Sequence, residues 1–103
     1  MGAPTRRRAF TFIHSTRGIA RHENKLMILV EELGEEAGDV LRWSDIQHKV
    51  YVVDLESERL ESVTPIELPG MGILKGVLPD GVLVIRTLVP EPGIYAFRIV
   101  AGN

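Results

Sequence analysis

The sequence predicts an all-β domain, an antiparallel β-sandwich or small barrel of about seven to eight short strands. Three observations predict it. Apolar residues recur with a period of two in run after run, turn-forming residues close those runs, and none sustains the 3.6 period of a helix.

The elements follow in order. "RAFTFIH" (8–14) alternates around Phe10 and Phe12 and is predicted as a strand. "STRGIARHEN" (15–24) is the most loop-like stretch and is expected to separate that strand from the rest. "KLMILVEE" puts Leu26, Ile28 and Val30 on one face. In "EEAGDVLRW" the residues Ala37, Val40 and Leu41 hint at a helix, but Gly34 and Gly38 weaken it by about 1 kcal/mol each relative to Ala. "DVLRW" is therefore read as a strand. "HKVYVVDLE" is rich in β-branched and aromatic residues, and "RLESV" follows a tight turn at Ser57-Glu58. "MGILKGVL", "GVLVIRTLV" and "GIYAFRIVA" come last, parted by "PDG" and "PEPG". Pro79-Asp80-Gly81 and Pro92-Gly93 pair a fixed φ with a glycine able to adopt positive φ, as tight turns require.

The chain of 103 residues reads as one domain, 45% hydrophobic and 25% charged, which is a globular composition. Without cysteine there is neither a disulfide nor a zinc–thiolate site. No apolar run reaches the length of a membrane span, and Arg6–Arg8 is followed by too short an apolar stretch for a signal peptide. A cytoplasmic location is expected, with no membrane contact. Charge is unevenly placed. Six of the twelve Lys and Arg residues, but one of the fourteen acids, fall in residues 1–25, which carry a formal +5 against −7 for the remainder. The reading is a basic N-terminal arm on an acidic body.

The C-terminal quarter, "VIRTLVPEPGIYAFRIVAGN", resembles the E–F corner of a fibronectin type III domain. Ile85, Leu88, Pro90, Tyr95, Phe97, Ile99, Ala101 and Asn103 follow in that family's order, with one extra residue in the turn. The resemblance implies a β-sandwich in which Tyr95 buries its ring and its hydroxyl reaches upstream backbone, while Pro90 ends a strand pairing. It implies that Trp43 of "DVLRWSD" is the inward tryptophan of strand B, and that "KLMILVEE" serves as strand A. That family also has a final strand G, which is not found after "GIYAFRIVA". "RAFTFIH" is expected to take its place, from its own chain or from a neighbour.

The functional expectation is a non-catalytic interaction module that self-associates or docks a protein partner through the basic arm. The binding residues are Arg6, Arg7, Arg8, Phe10, Phe12, Arg17, Arg21 and Lys25: the cations steer, the phenylalanines supply buried area. Nucleic acid is the alternative, with the arginines tracking phosphates and the phenylalanines stacking on bases; a pI near 5.9 weighs against it. A small-ligand or enzymatic β-barrel is the third reading. It has little to stand on: "HST" occurs once rather than twice, and His14, His22 and His48 lack the i, i+4 helical spacing of a zinc hydrolase. Gly70, Gly72 and Gly76 around Lys75 do not match a phosphate loop, and glycines in a strand mark bulges. No metal or cofactor is expected. "EELGEEAGD", with Glu31, Glu32, Glu35, Glu36 and Asp39, reads as a solvated acidic loop able to face the arm. Trp43 and Tyr51 are read as core aromatics, with anchoring at a partner surface as the alternative.

Overall fold

A computed structural model describes residues 14–33 and 46–99. The fold class is as predicted. Seven antiparallel strands form two sheets, with no helix among the described residues. Strands β1 (His14–His22), β2 (Lys25–Leu33), β3 (Ile46–Asp54) and β4 (Arg59–Ile66) make a four-stranded meander. Strands β5 (Met71–Val77), β6 (Val82–Val89) and β7 (Gly93–Arg98) make a three-stranded one. Each sheet therefore uses strands consecutive in sequence. "KLMILVEE", matched above to a first strand, lies inside its sheet between β1 and β3.

The loop expected at 15–24 is instead β1 and the turn after it, with Glu23 at φ 56. Its polarity reflects its place at a sheet edge, where half the backbone and most side chains meet water. Gly18 adds a bulge between Thr16 and Ile19, at φ 131. A Cβ there would lie 2.7 Å from Leu74 Cβ and 2.8 Å from Leu74 O. Only glycine lets β1 pass so close to β5, and that approach closes one side of the sandwich.

The turns follow their chemistry. Pro79-Asp80-Gly81 closes β5 to β6 with Gly81 at φ 91 and Gly81 N–H donating to Leu78 O (2.8 Å). Gly93 differs from expectation, since its φ is not positive. It is small to make room, because a Cβ would stand 2.9 Å from Tyr95 Cε1 and 3.1 Å from its hydroxyl. Bulges at Met71/Gly72 and Leu74/Gly76 fall where strand glycines predict them.

The core is Met27, Leu29, Val50, Val52, Leu74, Leu83 and Ile85, with Leu29, Leu83 and Ile85 fully buried. On β2 the inward residues are Met27 and Leu29. Leu26, Ile28 and Val30 do share a face, but it is the outer one.

Candidate interaction surfaces

The two long sides of the sandwich are unlike. On the β1/β5 side the sheets meet at Gly18 and Leu74. On the other side β4 and β7 are both edge strands among the described residues, which supply no fourth strand of the smaller sheet to stand opposite β4. Burial records the difference. Facing inward on β6, Leu83, Ile85 and Thr87 are fully buried, and on β3 so nearly are His48, Val50 and Val52. One strand outward, the inward residues Tyr95 and Phe97 of β7, with Ile99 just beyond it, and Ser62, Thr64 and Ile66 of β4 are only half-buried. The hydroxyl of Ser62 is buried without a hydrogen-bond partner. Among the described residues the result is an open seam with an apolar wall on β7, a more polar wall on β4, and a β7 edge that no other strand pairs.

A second surface lies on the outer face of the four-stranded sheet. The cross-strand row Ile19, Ile28, Tyr51, Val63 adjoins the row Arg21, Leu26, Val53, Leu60. Ile19 is 60% exposed and Leu60 55%. An antiparallel sheet face turned to water is normally polar, so this one is unusual. Tyr51 belongs to it, facing outward rather than into the core, and its hydroxyl donates to Glu32 Oε2 at 3.5 Å.

The arm residues separate into two groups. Arg6, Arg7, Arg8, Phe10 and Phe12 lie outside the described residues, as do Trp43, "DVLRW", Glu35, Glu36, Asp39, Ala101 and Asn103. Arg17, Arg21 and Lys25 lie in the sheet. Arg17 reaches Glu31 Oε1 through both Nε (3.2 Å) and a terminal nitrogen (3.0 Å). Arg21 Nε donates to Glu23 O at 2.9 Å. Lys25 pairs with Glu61 and stands 3.9 Å from Asp54, and the Glu61 bond holds its pKa up. Pro90 sits at the β6–β7 corner, where Thr87 Oγ1 donates to Glu91 O at 3.1 Å. Tyr95 lies inward on β7, its ring against Gly93.

Glu31 and Glu32, expected in a solvated loop, are instead in β2, where strand pairing turns them to opposite faces. Glu32 pairs outward with Lys49 at 3.0 Å. Glu31 points inward, between Arg17 and His48. His48 is 2% exposed, its Nε2 lies 3.5 Å from Glu31 Oε2, and neither of those atoms has a hydrogen-bond partner. Burial pushes the His48 pKa below 6.5, and the Glu31 carboxylate offsets this only in part.

The unfolded chain takes up the His48 proton first, so stability falls as pH drops below about 6.5. Asp54 and Asp80, held down chiefly by the Ser57 hydroxyl and the Val82 amide respectively, lose their contribution only near pH 3.8 and below. Urea midpoints measured from pH 7.5 to 5 should therefore decline for the native chain. They should decline less for His48→Gln, and equal slopes would refute the assignment.

His14 and His22 begin and end β1 and stand about 27 Å apart along it, so they share no site. His22 Nε2 donates to Pro79 O at 2.8 Å, tying the β5–β6 turn to β1, while Arg98 holds the same turn through Asp80. Among the described residues no group of three or more His, Asp or Glu side chains stands ready to hold a metal ion, and no helix is long and apolar enough to cross a membrane. No protein-family model matches the chain at a significant level, nor does any curated protein or solved structure.

Proposed function

We propose that the protein is a non-catalytic interaction module that self-associates by accepting an added β-strand along β7. The observation that supports this reading is the open seam: among the described residues β7 is an edge with no strand beside it, and its inward side chains Tyr95 and Phe97, with Ile99 just beyond, are only half-buried. Strand addition satisfies the edge's backbone groups and removes the apolar wall from water in one step. The nucleic-acid reading draws less support, because Arg17, Lys25, Lys49 and Arg98 are each engaged by a carboxylate of the same chain.

Light scattering over a wide concentration range tests the proposal. The native chain should exceed its 11.5 kDa monomer mass, while Phe97→Lys and Thr64→Lys, which put a charge into the seam from either wall, should remain monomeric. Ile28→Lys, on the outer face, should associate as the native chain does. Association lost in Ile28→Lys but kept in Thr64→Lys would move the interface to that face and end the seam reading.

A further inference from the structure

Resting on that reading, the occupant of the seam can be named. We infer that the strand added to β7 is residues 6–13 of a second copy of this chain, so that two copies exchange their N-terminal segments.

Four observations carry this. First, the seam asks for one strand with apolar residues at alternate positions, since only one face of an added strand looks inward. "RRRAFTFI" offers that pattern, with Phe10 and Phe12 on one face. Second, both phenylalanines match the wall they would meet, formed by Tyr95, Phe97 and Ile99. Third, Glu67 and Glu91 are exposed at the end of the sandwich where β4 stops and β7 starts, and they offer carboxylates to Arg6, Arg7 and Arg8.

The fourth is reach, which decides between the chain's own segment and a neighbour's. Phe12 is two residues from His14, so its Cα lies within about 7 Å of the start of β1. β1 flanks β5, on the closed side. A strand added beyond β7 stands three strand spacings from β5, about 14 Å. Phe12 of the same chain cannot span that distance, whereas Phe12 of a second copy carries no such restraint. Exchange of an identical element between copies is a low-cost route to a dimer.

Complementation in the full-length chain tests the exchange. Phe10→Ser/Phe12→Ser keeps the seam and removes the insert; Thr64→Lys keeps the insert and blocks the seam. Each alone should be monomeric by light scattering. Mixed in equal amounts they should form a heterodimer, held by one exchange rather than two and so at least about tenfold weaker than the native pair. A spin or fluorescent label placed near residue 10 of one partner should report proximity to β7 of the other. If Phe10→Ser/Phe12→Ser associates like the native chain while Thr64→Lys does not, the seam is an interface but its occupant is not this segment. If the native chain is monomeric throughout, the underlying reading fails as well. Circular dichroism of each variant establishes that a lost mass is not a lost fold.

Discussion

Glu31→Ala is expected to lower the unfolding free energy by about 3 kcal/mol, the low end of the cost of breaking a buried ion pair. The carboxylate is the shared partner of Arg17 and of buried His48. Removing it leaves the Arg17 guanidinium without its carboxylate and the buried imidazole beside a positive charge that nothing offsets. The figure is at the low end because the Arg17 side chain keeps 31% of its exposure and can turn toward water. Glu31→Gln, which still accepts from Arg17, should fall between the alanine variant and the native chain. Urea unfolding at pH 7.5 measures both, and a change below about 0.5 kcal/mol for Glu31→Ala would show that the group is not coupled as described.

Leu29→Ala should cost about 2–5 kcal/mol, and Ile28→Ala, one residue away, about 1 kcal/mol or less. Leu29 is wholly buried between the sheets, whereas Ile28 lies on the half-open outer face. Equal losses from the two would mean that β2 is wrongly oriented. The comparison matters because orientation is what the sequence withholds at this strand. Leu26 to Val30 is apolar at five consecutive positions, so alternation cannot tell inside from outside. The partner strand supplies the answer: in β3 the row His48, Val50, Val52 faces Glu31, Leu29, Met27, and all three β3 residues are buried.

The other strands were legible to different degrees. β2 to β7 announced themselves by β-branched and aromatic runs and by turns with a mechanism, Pro79-Asp80-Gly81 above all. β1 did not, because an edge strand holding Ser15, Thr16, Arg17, Gly18 and Arg21 carries the composition of a loop. The Arg17–Glu31–His48 group escaped for another reason. Its members come from three strands and meet only through register, which pairs Glu31 with His48 directly. A trace of it is visible in hindsight, since Glu31 shares parity with Met27 and Leu29, and His48 with Val50 and Val52. The seam had no signal in periodicity or composition; only the resemblance, which implies a further strand after "GIYAFRIVA", pointed toward it. Seven strands divide into sheets in several ways, and only the packing of β1 against β5 puts the opening beside β7.

Within each sheet, the pairing of every strand with its neighbour in sequence also bears on how the chain reaches its native state. All of the hairpins except β2–β3 close over short loops, so little chain entropy is lost before contacts reward it, and folding should be faster than in sandwiches whose strands pair across long crossovers. Combined with the exchange proposed above, this would set an order of events. Each monomer would acquire its two ribbons quickly and alone, and the slow, dilution-sensitive phase of refolding would be the encounter of two nearly finished molecules.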